Sequence, residues 1–176
     1  GNANPSGKLP ISIPKTVGQV PLYYNHKPSA RGFYKAPGSP GKPGQDYVFM
    51  DTKPLYEFGY GLSYTDFEYS DLLVTPERIN VNGCVTVSVK VRNTGKREGM
   101  EVVQLYINDT VSSVTTPVKA LRGFRKISLN PGEEQVVSFV LKPSDLSLID
   151  RNMNEIVEPG VFDVMVGALK KQFIVE

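Results

Sequence analysis

The sequence predicts a mainly β chain, a two-layer β-sandwich preceded by an extended segment rich in proline, glycine and tyrosine. Three observations carry that expectation. Proline and glycine fill 18 of the first 65 positions, nine of each, but only 12 of the remaining 111. From Asp66 onward, short runs alternate apolar and polar residues, the period of a strand with one face buried. Turn residues part these runs about every eight to twelve positions, and no helical period competes over more than one turn.

The leading segment, residues 1–65, holds too many chain breakers for long helices or a regular sheet. It is no solvated linker either, since it carries Leu22, Tyr23, Tyr24, Phe33, Tyr34, Tyr47, Phe49, Leu55, Tyr56, Phe58, Tyr60 and Tyr64. So much aromatic surface needs a body to pack on. The expected form is an extended strap lying over another body, part of which lies outside this chain. Inside it, residues 36–44 place glycine at every third position only at Gly38, Gly41 and Gly44. That is too short for a triple helix, and an extended, polyproline-like surface loop is expected.

In the second segment, Val85–Arg92 alternates strictly, with Val85, Val87, Val89 and Val91 expected inward. Asn93-Thr94-Gly95 supplies a turn. Val102–Ile107 is the next strand, closed by Asn108-Asp109. Ala120–Ile127 follows, with Gly123 marking a bulge. Asn130-Pro131-Gly132-Glu133 turns the chain into the strand Gln135–Leu141, and Pro143–Leu146 forms a single helical turn or bend. Glu158-Pro159-Gly160 turns again, before strands at Val161–Gly167 and Gln172–Val175. About seven short strands over about 100 residues match an immunoglobulin-like sandwich. One cysteine and no tryptophan argue against an antibody-type domain and leave a fibronectin type III-like relative.

Charge and composition exclude several functions. The net charge is +2; residues 1–65 carry seven basic against three acidic residues (+4), and residues 66–176 carry thirteen against fifteen (−2). The leading cations are scattered, without a cluster that would track a phosphate backbone, so nucleic acid is not an expected partner. No apolar run reaches the about 20 residues of a membrane span. The start, Gly1-Asn2-Ala3-Asn4-Pro5, is neither basic nor apolar, and any export signal of a longer parent would lie upstream. Cys84 alone can form neither an internal disulfide nor a zinc cluster, and it is expected to be a small core or half-buried residue. His26, the single histidine, excludes a site built on two. No cofactor and no metal are expected.

Five stretches, in order, resemble one family. Asn4-Pro5-Ser6-Gly7-Lys8-Leu9-Pro10 with Ile11-Ser12-Ile13-Pro14 is similar to the end of the α/β sandwich domain of family 3 β-glucosidases and β-xylosidases. Val17–Pro28 and Pro54–Thr65 are similar to the segments that follow, up to the terminal sandwich; Glu57 stands where many members have proline. Val91–Gly95 with Gly99 and Glu101–Tyr106, and Leu121–Ile127 with Leu129–Glu133, are similar to the family's fibronectin type III-like domain. The resemblance implies residues 1–65 as the tail of the α/β sandwich domain plus linker, and residues 66–176 as the fibronectin type III-like domain.

It also implies a parent enzyme that hydrolyses β-glucosides or β-xylosides with retention, through one carboxylate nucleophile and a second carboxyl as acid/base. In the family both lie upstream of the matched stretches, so no residue here inherits either role and the isolated chain is expected to be inactive. The implied partners are the upstream catalytic domains of the same enzyme, and an oligosaccharide in the parent. An extracellular or periplasmic parent fits the resemblance, and a cytoplasmic one remains open. The expected function is a non-catalytic structural module; the alternative is a carbohydrate- or polymer-binding accessory module.

Candidate residues follow. Tyr23, Tyr24, Tyr56, Phe58, Tyr60 and Tyr64 are assigned to interdomain packing, and Asn25, His26, Lys27 and Arg31 to the border of the parent's substrate cleft. Asp145, Asp150, Glu155 and Glu158 lie near one another but without apolar surroundings to part their pKa values, so a solvated loop is expected, with an Asp150–Arg151 ion pair. Asn108-Asp109-Thr110 fits the N-glycosylation pattern.

Overall fold

The computed structural model of the chain describes residues 3–28 and 53–176. Arg31, Phe33, Tyr34, Tyr47, Phe49 and the proline–glycine run 36–44 lie outside the described residues.

The chain from Phe67 onward builds ten strands and one helical turn: β1 (Phe67–Thr75), β2 (Arg78–Ile79), β3 (Val85–Asn93), β4 (Gly99–Asp109), β5 (Ala120–Leu129), β6 (Glu134–Leu141), α1 (Pro143–Leu146), β7 (Leu148–Ile149), β8 (Glu155–Ile156), β9 (Gly160–Val166) and β10 (Leu169–Val175). One sheet has the order β1-β3-β6 and the other β2-β10-β9-β4-β5, while β7 and β8 form a small separate ladder. The chain crosses between the sheets after Thr75, where β2 joins the far edge parallel to β10.

The period-two pattern explains the core. Val85, Val87, Val89 and Val91 of β3 are fully buried, facing Val103, Leu105 and Ile107 of β4 and Phe162, Val164 and Val166 of β9 in one core cluster. Val137, Phe139 and Leu141 complete the first sheet's inner face, and Phe173 and Val175 the second's. Phe162 and Phe173 stack with centroids 5.4 Å apart. Burial of these side chains is the main driving force of the fold, about 25 cal/mol for each Å² of apolar surface removed from water.

The expected turns and bulge are present. Gly132 adopts φ +78°, and its amide donates to the Asn93 carbonyl over 2.9 Å. On β5, Leu105 faces Gly123 but Tyr106 faces Leu121, so Arg122 is the extra residue of a bulge. Glycine at 123 is a packing requirement, because a Cβ there would sit 2.9 Å from the Phe139 ring. Pro143–Leu146 forms its helical turn, held by the Lys142 amide donating to Asp145 Oδ2 at 2.8 Å.

Two features differ from the expectation. Cys84 is exposed, not core or half-buried: Val85 points inward, so its neighbour one position earlier takes the opposite face. Strand β1 has no counterpart in the sequence reading. Its alternation is broken by a register shift between Ser70 and Leu73, with Asp71 at φ 52°.

Candidate interdomain surface

The leading segment packs on Tyr106 of the five-stranded sheet and reaches Glu101 of β4 and Asn93 of β3 at one end of the sandwich. Its two described stretches pair with each other: the Leu9 amide donates to Tyr60 O, the Gly59 amide to Leu9 O and the Ile13 amide to Tyr56 O, each at 2.8 Å. Asn4 joins the ends, its Oδ1 accepting from the Tyr64 amide at 2.7 Å. Gln19 is fully buried; its Oε1 accepts from the Lys15 amide at 2.6 Å, and its Nε2 donates to the Lys53 carbonyl at 3.2 Å. Side chains and backbone thus satisfy the polar groups of a segment without regular structure.

Several contacts bind this strap to the sandwich. The first is aromatic. Tyr24 and Phe58 stack at 4.0 Å and 14°, and both meet Tyr106 of β4 edge-on, at 6.1 and 6.5 Å. Burial, then the neighbouring Tyr24 and Glu57, push the Tyr106 phenol up to about 12. Lys119 lies 5.4 Å from the Tyr106 ring centroid, within cation–π range, and the Leu121 amide donates to Tyr24 Oη over 3.3 Å.

The second contact is ionic. Glu101 is buried on the inner phase of β4. It receives Lys8 Nζ at 2.9 Å on Oε1 and 3.1 Å on Oε2, while Tyr69 of β1 donates to Oε1 at 2.8 Å. Burial, then the Glu101 charge and that hydrogen bond, hold the Tyr69 phenol well above its ordinary value. The third is a buried polar pin. Thr65 Oγ1 donates to Asn93 Oδ1 at 2.6 Å, and Asn93 Nδ2 donates to the carbonyls of Arg97 and Leu129. Val118 adds a backbone bond to His26 O at 3.0 Å.

The six aromatic candidates divide by direction. Tyr24 and Phe58 are half-buried against Tyr106 of this chain. Tyr23, Tyr56, Tyr60 and Tyr64 face outward, from 41% exposed at Tyr60 to 64% at Tyr23, beside Ile11, Val20, Leu55 and Leu62, which are exposed as well. Tyr56 and Tyr60 lean on each other at 4.9 Å. Of the cleft-border candidates, His26 is half-buried with Nδ1 at 3.1 Å from the Lys27 carbonyl, the geometry of a donating Nδ1–H. It lines a groove of about 270 Å³ with Ser12, Tyr23, Tyr24, Glu57 and Lys119. Asn25 and Lys27 are exposed, and Lys27 borders a separate depression with Asn108 and Asp109.

The four carboxylates around Asp150 are each engaged locally. Asp145 holds the Lys142 amide, Asp150 accepts from the amides of Asn152 and Asn154, Glu155 from Ser147, and Glu158 from Ser113. Those bonds lower the pKa of Asp150, chiefly through Asn154, and of Glu158, through Ser113. A general acid needs the opposite shift. Arg151 reaches the Ser113 carbonyl at 3.4 Å, and no ion pair with Asp150 is present among the described residues. The Asn108 amide donates to Pro117 O at 2.9 Å. No group of three or more His, Cys, Asp or Glu able to hold a metal occurs among the described residues.

Sequence reasoning missed the Lys8–Glu101–Tyr69 cluster. Its signal was nonetheless present: Glu101 shares the inward phase of Val103, Leu105 and Ile107, where a charge needs a partner.

Fold and strap together define a fibronectin type III-like sandwich preceded by an extended segment that packs against it. Residues 1–64 match the glycosyl hydrolase family 3 C-terminal domain, and residues 101–170 the fibronectin type III-like domain. The periplasmic β-glucosidase of Salmonella typhimurium is 47% identical over 167 residues, 95% of this chain and 22% of that protein. A putative β-xylosidase of Formosa agariphila is 43% identical over 167 residues, 95% of this chain and 20% of its own length. Among solved structures, the β-glucosidase of Listeria innocua in complex with isofagomine superposes with a TM-score of 0.86 at 36% identity, covering 99% of this chain and 25% of that one. The chain belongs to glycosyl hydrolase family 3, of whose C-terminal region it carries two consecutive parts. It spans about a fifth of the length of the curated relatives it matches.

Proposed function

We propose that this chain is a non-catalytic bracing module of a β-glucosidase or β-xylosidase. Residues 66–176 form the brace, and residues 1–65 the strap that ties it to the upstream catalytic domains. The carrying observation is the two-sidedness of the strap: Tyr24 and Phe58 pack on the sandwich, whereas Tyr23, Tyr56, Tyr60, Leu62 and Tyr64 turn to solvent. Apolar side chains aligned on the far side of a strap are the mark of a second body that covers them. The nucleophile and acid/base of the retaining reaction would lie on that second body; the carboxylates described above are already committed to local hydrogen bonds. His26 and the groove beside it would border its substrate cleft.

Two measurements test the reading. Purified chain is expected to leave an aryl β-glucoside and an aryl β-xyloside unhydrolysed, and turnover that tracks the pure protein would refute the non-catalytic assignment. Deleting residues 66–176 from the parent enzyme is expected to lower its melting temperature and soluble yield. Unchanged values would refute the bracing role.

A further inference from the structure

A sheet edge is a row of unpaired backbone groups, and folds ordinarily blunt it with a short strand, a bulge or a charge. The two main sheets end in the edge strands β1 and β6 on one side of the sandwich and β2 and β5 on the other. All but one are blunted. Strand β2 is two residues long, and β1 is broken by the register shift between Ser70 and Leu73. Strand β5 carries the bulge at Arg122 and the exposed cations Arg125 and Lys126. Strand β6 has none of these protections. It pairs with β3 over its full 8 residues without a shift in register, and Gln135–Leu141 holds no charge, proline or glycine. Val136 and Val140 are 59% and 57% exposed on its outer face. No backbone bond joins its free edge to any described residue.

The strand is also complementary to itself. Turned antiparallel on a second copy about a two-fold axis through Ser138, it sets Glu134 opposite Lys142 of that copy, Val136 opposite its Val140, and Ser138 opposite its Ser138. All five positions are exposed and share the outer phase of the strand, where directly paired side chains lie about 4.5–5.5 Å apart. Lys142, just past the strand, keeps extended backbone with φ −101° and ψ 166°. The Glu134 side chain is 52% exposed and meets Lys90 only at 3.8 Å, and Lys142 forms no ion pair among the described residues. The pairing therefore brings opposite charges together at both ends and valine against valine between them. Val137, Phe139 and Leu141, on the inner phase, stay buried in their own core.

We propose that β6 is the edge on which a second copy of this chain docks, joining the two three-stranded sheets into one continuous sheet of order β1-β3-β6-β6-β3-β1. A two-fold pairing consumes the edge it uses and closes at two copies, and the broken strand β1 at each far side does not extend it. Arg125 and Lys126 border the same edge across a groove of about 260 Å³. Their counterparts on the second copy bring like charge towards the axis, and the contact is one strand wide, so the dimer is weak and forms in concentrated protein. The strap holds Tyr106, Glu101 and the Asn93 end of β3, so this contact stands apart from the bracing reading.

Sedimentation equilibrium of the full chain over a range of concentrations tests this, with thermal unfolding to confirm that each variant is folded. The wild type is expected to form dimers and nothing larger. Val136→Lys, which puts a charge in the middle of the edge, is expected to abolish them. Glu134→Lys sets lysine against Lys142 at both ends, and Lys142→Glu sets glutamate against Glu134. Each is expected to weaken association about tenfold, because two pairs change at once. Mixed in equal amounts, these two single variants again present opposite charges to each other and are expected to form a heterodimer. Combining Glu134→Lys with Lys142→Glu in one chain is expected to restore the homodimer. A wild type that stays monomeric, or that grows beyond dimers, overturns the proposal. So does a dimer that Val136→Lys leaves intact, and so do single variants that gain nothing on mixing.

Discussion

Replacing Lys8 by methionine keeps most of the side chain's apolar stem but removes the charge opposite Glu101. The two groups are 2.9 Å apart, with side chains 20% and 11% exposed, so solvent screens them only in part. Opposite charges about 4 Å apart at an effective dielectric of about 20 attract by about 4 kcal/mol. Desolvation offsets much of that in the intact pair. The substitution leaves a buried carboxylate with Tyr69 as its remaining side-chain donor, and the expected cost is about 2–3 kcal/mol, below the range for a fully buried pair.

Because Lys8 belongs to the strap and Glu101 to β4, the loss should fall first on strap attachment. Native-state hydrogen exchange can resolve it. The amides of Leu9 and Gly59, which bond Tyr60 O and Leu9 O, should exchange about 30- to 150-fold faster, the equivalent of that free energy. The amides of Val87 and Leu105 in the core should change less. Adding Glu101→Gln should recover part of the loss, because no buried charge is then left alone. Leu9 and Gly59 exchange unchanged by Lys8→Met would refute the claim that this ion pair fastens the strap.

Three further outcomes are expected. Gly59→Ala should lower the melting temperature by several degrees: its φ of +82° strains any side chain, and a Cβ would meet Tyr106 Oη at 2.9 Å, together costing about 1–2 kcal/mol or more; an unchanged melting temperature would show that the strap yields there without cost. Stability should decline above pH about 10, where unfolded tyrosines ionise, because the raised phenols of Tyr69 and Tyr106 keep protons in the folded state that the unfolded chain releases. Tyr69→Phe should flatten the decline in thermal scans between pH 9 and 11.5, and an equally steep fall would exclude Tyr69 as a source. Cys84, exposed on the surface, should react with one equivalent of a thiol-specific disulfide reagent without denaturant; protection until unfolding would place it in the core.

Where a pattern is local and periodic, the fold was legible. Val85–Val91 alternates without a break, and each inward valine is fully buried. The turn at 130–133 and the glycine at 123 were legible because each has a specific backbone or packing reason. Strand β1 was not, because the irregularity at Asp71 shifts its phase: Leu72 and Val74 are buried, while Tyr69 is packed against the core one step out of register with them. Strand partners were not legible either, since alternation shows which side faces inward and says nothing of which strand lies alongside.

The candidate surface was legible in content but not in direction. An extended segment rich in proline has no period to tell one side from the other, so Tyr24 and Tyr23, adjacent in sequence, looked equivalent. Their difference comes from distant residues: Tyr106 and the Leu121 amide hold Tyr24, whereas Tyr23 is left 64% exposed. The composition changes at residue 65, yet the contacts do not respect that position. Thr65 is buried and bonded to Asn93, Lys8 is paired with Glu101, and Phe58 covers Tyr106. A strap fixed in these ways holds its outer aromatics in place before anything meets them. Preorganised side chains lose little entropy on docking, and that is what makes the exposed row from Tyr56 to Tyr64 suited to a second body rather than to open solvent.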